Sequence, residues 1–546
     1  MIVFATLILS MYITIALIPP FNKLAHKINA LDVPDERKVH SIPKPRIGGI
    51  AMALSIFPPL FFWASMSPMI KSLFISSGII VTFGVIDDFK GLDFRVKFVG
   101  QILAALVVVL YGGIQIVTWG NLLPGGFVIP KVFSIILTVI VIIGVTNAIN
   151  LSDGLDGLAG GVTLLSFVCI GYLAFCFENV TILLFSVAVI GSIFGFLRYN
   201  SYPAVLFMGD TGSQLLGFLA ISLILFLTQN GSALSPLLPL LILGFPILDT
   251  LTVMLSRLFS GESPFKPDKR HFHHRLISLG LYHSEAVLTI YFLQSFFVII
   301  AFLFRFSSEW FLLAFYLIFS GVILVFFLVT SKSGWKLTRQ KKFDTVVKKR
   351  LRPIKQRYPL IQITFGIVRF LLPVLLIFAC FIPHSVPLYF SILAFILLAV
   401  FIITWRVSSS WLLPLSSVIF YLSIPLLIYL GETDTAPWAT PFVMKVNAIL
   451  FGALLVFVYL TLKFTRRKGG FKSTPLDFLI LFAVLVIPNL PDESIQSLNL
   501  GSSAIKIIVL YLGFEVLTGE LRNKANHIWI LITVVLSLLS VRGIIG

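Results

Sequence analysis

The chain is predicted to be an all-α polytopic membrane protein. Its composition is 58% hydrophobic and only 12% charged, where soluble domains carry about 25% charged residues. Apolar runs long enough to cross a bilayer recur along its whole length. Lys and Arg, which give a net charge of +18, fall in alternate loops between those runs.

Taken in order, the apolar runs lie near 2–20, 48–66, 72–88, 96–113, 132–150, 158–177, 180–198, 212–229, 235–256, 286–305 and 309–330. A second set lies near 360–382, 386–405, 411–430, 446–463, 475–490, 503–518 and 527–545. This reads as a first membrane domain of about eleven helices over 1–330 and a second of about seven over 359–546. The basic stretch 331–358 between them reads as a cytoplasmic linker. The start, Met1-Ile2-Val3-Phe4, has no positive leader and no small-residue cleavage site, so it is expected to be the first span. Cys169, Cys176 and Cys380 all sit in apolar runs and offer no disulfide framework or metal-ligand spacing.

Loops after odd-numbered spans carry the positive charge: Lys44 and Arg46 after the first, Arg270 and Arg275 after the ninth, and a long basic run after the eleventh. Loops after even spans hold little, and two are acidic (Glu432 and Asp434; Asp492 and Glu493). The positive-inside rule places the odd loops in the cytoplasm. The charge therefore suits membrane orientation and anionic ligands, and nucleic acid is not an expected partner.

Five polar sets interrupt the apolar pattern, and each falls on an odd loop. The first runs from Asp35 through Lys44 and Arg46 to Gly49; the second is Asp87-Asp88. The third has Asn147, Asn150, Asp153 and Asp156 spaced by three, with Gly154 and Gly157 between. The fourth joins Asn200 to Phe207-Met208-Gly209-Asp210-Thr211-Gly212-Ser213, and the fifth spans Pro264 to Arg275. Carboxylates at membrane depth cost about 2.5–3.5 kcal/mol on insertion scales, so a set of them implies a function. One site assembled from separate helix ends is expected on the cytoplasmic side.

Adjacent residues point about 100° apart on a helix, so Asp87 and Asp88 are expected to do different jobs, one as metal ligand and one as base or orienting group. Hard oxygen ligands on a Gly-flanked turn, as at Asp210, suit Mg²⁺, which keeps waters and binds one or two carboxylates plus substrate phosphates. Thr211, Gly212 and Ser213 open a helix whose amides would cradle phosphate oxygens. Arg37, Lys38, Lys44, Arg46, Lys97 and Arg275 supply positive charge. Together these describe phosphoryl transfer. His271, His273 and His274 lack the Cys and the fourth ligand of a zinc site, so phosphate contact fits them better. Phe207 reads either as a base-stacking ring or as an interfacial anchor. Asp249, inside a span, is either functional or bonded to a neighbouring helix.

These residues make the first 330 positions closely resemble the polyprenyl-phosphate N-acetylhexosamine-1-phosphate transferases. The resemblance is carried by Gly84-Val85-Ile86-Asp87-Asp88 with Lys97 and Gln101, Asn147 to Ala159, Asn200 to Ser213, and Pro264 to Arg275, in family order. It implies transfer of a sugar-1-phosphate from a UDP-activated N-acetylhexosamine, most simply N-acetylglucosamine, to undecaprenyl phosphate at the inner membrane. UMP is released, and Mg²⁺ (or Mn²⁺ in its place) is required. It further implies Asp87 and Asp88 as base and metal contact, and Asp210 with Asp88 and Asp153 as the metal set. Asp153, Asp156, His273 and His274 are implied in catalysis, and Lys44, Arg46, Lys97, Asn147, Asn150, Asn200, Phe207, His271 and Arg275 in substrate binding. The His271-Phe272-His273-His274 pattern differs from the muramoyl-pentapeptide branch. A secondary transporter, and an inactive lipid- or metal-binding scaffold, are the competing classes. A transporter would place its polar residues near the bilayer midplane. The second domain carries no chemical constellation in sequence; packing against the first half, a homo-oligomer contact or recruitment of a partner are the roles expected of it.

Overall fold

The architecture is organised around one helix, Gly209–Gln229, in a computed structural model that describes residues 2–28, 31–32, 43–123, 127–230, 233–263, 270–337, 358–407, 412–464, 500–521 and 526–545. The chain divides into two compact units, Met1–Thr338 with Thr474–Leu476, and Arg339–Ser473 with Asp477–Gly546. Thirteen of the described helices are long and apolar enough to cross a membrane, and the described strands are two residues each. The protein is an all-α, multi-pass membrane protein.

The first unit comprises α1 (Ile2–Lys27), a ribbon of β1 (Leu31–Asp32) and β2 (Lys44–Pro45), α2 (Gly48–Trp63), α3 (Pro68–Lys90), α4 (Phe94–Leu110), α5 (Lys131–Leu151), α6 (Leu158–Cys176), α7 (Val180–Asn200) and α8 (Gly209–Gln229). It continues with α9 (Leu238–Ile242), α10 (Gly244–Phe259), α11 (Phe272–Ser278), α12 (His283–Leu303) and α13 (Glu309–Ser333). In the ribbon Leu31 pairs with Pro45 and Asp32 with Lys44, antiparallel.

Helix α8 is buried over 94% of its most apolar stretch, against 39% for α5 and 28% for α13. It packs on α2, α3, α5 and α6. Small residues make this crowding feasible, as they do wherever membrane helices approach closely. A Cβ on Gly49 would lie 2.2 Å from the backbone nitrogen of Gly212, and one on Gly84 would lie 2.6 Å from the Cα of Thr211. The helices therefore touch backbone to backbone at the start of α8.

The single span expected at 235–256 is two helices, α9 and α10, broken at Leu243. Pro239 opens the first piece and Gly244 the second. A break inside a membrane is tolerated only if the freed backbone groups find partners. Gln294 supplies them: its Oε1 accepts the Phe245 N–H at 3.2 Å and its Nε2 donates to Ile242 O at 2.7 Å. Ser166 and Tyr316 donate to Ile242 O and Gly244 O at 2.8 and 3.2 Å. Sequence periodicity carries no sign of that long-range rescue.

The second unit has six described helices, Tyr358–Ala379, Leu388–Val407, Leu412–Thr433, Pro441–Phe464, Leu500–Leu521 and Asn526–Ile545. The span expected at 475–490 and most of the basic linker lie outside the described residues. Among its described residues Lys506 pairs with Glu432, Tyr421 with Glu515, and Arg369 with His527.

Candidate active site

The ends of α3, α5 and α7 and the starts of α4, α6, α8, α11 and α12 bring the polar sets together at one end of the first unit. This is not the midplane arrangement of a transporter. Arg37, Lys38 and residues 264–269 lie outside the described residues.

Asp87 and Asp88 point to separate partners, as their adjacency requires. Asp87, buried, accepts the Leu92 N–H at 2.6 Å and pairs with Lys97 from the first turn of α4. The same ammonium pairs with Asp210 at 2.7 Å, so Lys97 joins α3 to α8. Asp88 accepts the N–H groups of Asp210 and Thr211 at 2.8 and 3.0 Å and the Thr211 hydroxyl at 2.6 Å. It thus caps α8, whose first residue, Gly209, has φ +71°. A Cβ there would meet the Asp88 carboxylate at 2.5 Å. The expectation that the opening amides of α8 cradle phosphate is corrected at Thr211, whose N–H the Asp88 carboxylate takes instead. Negative charge at a helix N-terminus is favourable, and a side chain reached the position first.

Asn147, Asn150, Asp153 and Asp156 do not form one row. Helix α5 ends at Leu151, so the two amides lie on a helix and the two acids in the turn that follows. Asn147 donates to Gln101 Oε1 at 2.7 Å, and Gln101 donates to Gln214 Oε1 at 3.0 Å. Asn150 accepts the Ser213 hydroxyl at 2.6 Å. These three contacts fasten α5, α4 and α8 together.

The acids of the turn differ in their engagement. Asp156 accepts the Ala204 N–H at 2.8 Å and lies 3.7 Å from the Lys44 ammonium. Asn200 closes the same junction, accepting from Gly157 N at 2.9 Å and donating to Leu206 O at 2.9 Å. Asp153 is half-buried and makes no hydrogen bond through its carboxylate among the described residues. Burial, then the charges of Asp210 and Asp88, push its pKa up to about 7, against an opposing pull from Arg46. Asp153 is the acid left open to a ligand.

The histidines divide similarly. His271 Nδ1 lies 2.9 Å from Asp249 Oδ2, while Asp249 Oδ1 accepts the Phe272 N–H at 2.8 Å. Asp249 therefore starts α11 and orients His271. His273 is 3% exposed and sits against Gly154, where a Cβ would lie 2.2 Å from its Nε2. Burial, then the neighbouring imidazoles of His274, His271 and His283, hold His273 well below the ordinary histidine pKa, so it is neutral at pH 7. Its ring lies 4.2 Å from that of His274. Lys44 covers the Phe207 ring at 4.9 Å, and Arg46 pairs with Asp32 at 2.6 Å. Arg275 lies over Phe272 and Phe327 and donates to Arg270 O at 2.7 Å.

Among the described residues no three His, Cys, Asp or Glu side chains close around a point that would hold a metal ion. The donor chemistry still suits a hard cation. A single ammonium faces the two carboxylates of Asp87 and Asp210, leaving net negative charge, and the Asp153 carboxylate has no hydrogen-bond partner among the described residues. Mg²⁺ needs only one or two carboxylates when substrate phosphates and water complete its shell.

Residues 70–228 match the model of glycosyl transferase family 4. Over 326 residues the chain is 35% identical to a Bacillus subtilis protein named probable undecaprenyl-phosphate N-acetylglucosaminyl 1-phosphate transferase, covering 58% of this chain and 88% of that protein. The chain belongs to glycosyl transferase family 4. Other similar members are a Mycolicibacterium smegmatis decaprenyl-phosphate N-acetylglucosaminephosphotransferase, 38% identical over 49% of this chain and 73% of that one, and an Escherichia coli K12 undecaprenyl-phosphate alpha-N-acetylglucosaminyl 1-phosphate transferase, 29% identical over 61% and 90%. Within the family 4 site, sequence reading missed Gln214, His283 and Tyr291. Each acts through a partner more than 100 residues away, as at Gln101, Asp156 and Gly157.

Proposed function

We propose that the chain transfers N-acetylglucosamine-1-phosphate from UDP-N-acetylglucosamine to undecaprenyl phosphate, releasing UMP, at the cytoplasmic face of the inner membrane. Support comes from its membership of the family, whose similar members carry that activity in their names. The observation that carries the reading is the Asp87–Lys97–Asp210 cluster, set beside open Asp153 at the ends of membrane helices.

One substrate is soluble and anionic, and the other is a lipid whose phosphate lies at the interface. Helix ends facing the cytoplasm meet both. A phosphate nucleophile is already ionised at neutral pH, so the residues mainly position reactants and offset charge. Asp153 and Asp210 would hold Mg²⁺, which when bound supplies charge neutralisation at the donor diphosphate. Lys97 keeps Asp210 in place and offers positive charge beside it. Asp88 fixes the first turn of α8 and so sets where Asp210 stands. Neutral His273, packed on Gly154 beside Asp153, donates to phosphate oxygen without adding a fixed charge. The Phe207 ring, beside the Lys44 ammonium, is the aromatic group that would stack on uracil.

The test is full-length protein in detergent with undecaprenyl phosphate, Mg²⁺ and a panel of labelled UDP-amino sugars. Labelled lipid with equimolar UMP from UDP-N-acetylglucosamine, lost with chelator and in Asp210→Asn, is the expected result. Product only from another amino sugar would overturn the donor; none from any sugar would overturn the reaction.

A further inference from the structure

Helix α12 lies beyond the region matched by the family model, yet it grips the turn that carries Asp153 and Asp156 at two points. The Asp156 N–H donates to His283 Nε2 at 3.2 Å. Two turns further along, the Tyr291 hydroxyl donates to Gly157 O at 2.5 Å. His283 is held in turn by a stacked Tyr202 ring, 4.4 Å between centroids at 25°. Tyr202 belongs to the loop whose Ala204 N–H is accepted by Asp156 Oδ2.

The chemistry of that contact fixes the tautomer. Nε2 is the acceptor, so a neutral His283 carries its proton on Nδ1. Nδ1 is buried with no hydrogen-bond partner among the described residues. A buried polar atom left unsatisfied destabilises the fold, and a side chain serving only to fill space would avoid that cost. The contact to Asp156 is what the imidazole supplies.

We infer that His283 is a positioning residue of the transfer site: it accepts the Asp156 N–H on Nε2 and so holds the 152–157 turn that presents Asp153. The inference rests on the transferase reading for its consequence in turnover, and on backbone protection alone for the contact itself.

Three substitutions separate the roles. His283→Gln places an acceptor where Nε2 was. His283→Asn places its amide near Nδ1 and loses that acceptor. His283→Phe keeps the stack on Tyr202 and loses both nitrogens. Hydrogen–deuterium exchange of the 152–157 amides in the full-length protein, with and without UMP, reads the contact directly. Exchange in the turn is expected to rise about fivefold in the Asn and Phe variants and to stay near wild type in Gln, as loss of a single hydrogen bond dictates. Turnover is expected to follow, with kcat lowered at least about tenfold in Asn and Phe and KM for the UDP-sugar changing less. Wild-type exchange in Asn and Phe overturns the inference. So does a Gln variant as inactive as Phe with a protected turn, since that gives His283 a direct chemical role. If wild-type protein makes no lipid product, the transferase reading fails, and the exchange data still decide whether His283 holds the turn.

Discussion

Asp88 accepts the backbone N–H of Asp210 at 2.8 Å, so one acid of the site is the cap that positions another. Replacing a helix cap costs about 0.5–2 kcal/mol. Asp88→Ala is expected to lower the melting temperature in detergent and to abolish turnover. Asp88→Asn, which keeps one acceptor oxygen, loses less stability. An Ala variant melting with wild type would remove the capping role.

Lys97 pairs with both Asp87 and Asp210. Removing its charge in Lys97→Gln leaves two carboxylates facing each other, and like charges at close range are unfavourable. This variant is expected to lose at least about tenfold in kcat, and its melting temperature should rise more steeply with added MgCl₂ than that of wild type. Parallel Mg²⁺ dependence in the two proteins would show that the cluster has no need of a cation.

Asp153 gives a pH dependence with a definite sign. Folding raises its carboxyl pKa from 3.8 to about 7. The folded protein therefore holds the proton more tightly between those values, and stability falls as pH rises through them. In chelator, Asp153→Asn is expected to match wild type near pH 4 and to exceed it by about 1–2 kcal/mol at pH 8, allowing for solvent screening at a half-buried group. Thermal melts across that range check it; a gain present equally at pH 4 would contradict the shift.

Gly154 lies against the imidazole of His273. A Cβ at 2.2 Å from Nε2 meets a side chain and not the backbone, so the imidazole is what must shift. Gly154→Ala is expected to keep its melting temperature within a few degrees while kcat falls at least about tenfold. Unchanged turnover would show that the position of His273 is immaterial.

Much of the site was legible because its physics is local. The adjacency of Asp87 and Asp88 required divergent directions, and the structure sends one to Lys97 and the other to α8. Polar sets confined to odd loops implied a shared face, and they converge at the ends of α3, α5, α7 and α8. What escaped reading depends on distant partners. Asp88 fills the amide of Thr211 that was expected to receive phosphate, and a broken α9–α10 is rescued by Gln294 from α12. Asp249, an intramembrane acid open to two readings in sequence, accepts the N–H of Phe272 and lies against His271, partners 23 and 22 residues away. No periodicity in the sequence encodes such pairings.

The glycine crossings at Gly49–Gly212 and Gly84–Thr211 limit how this catalyst can be altered. With main chain pressed against main chain, neither crossing has room for a side chain in place of its glycine. Redesign toward a different amino sugar must therefore leave these two crossings as they are and work from the side chains elsewhere in the site.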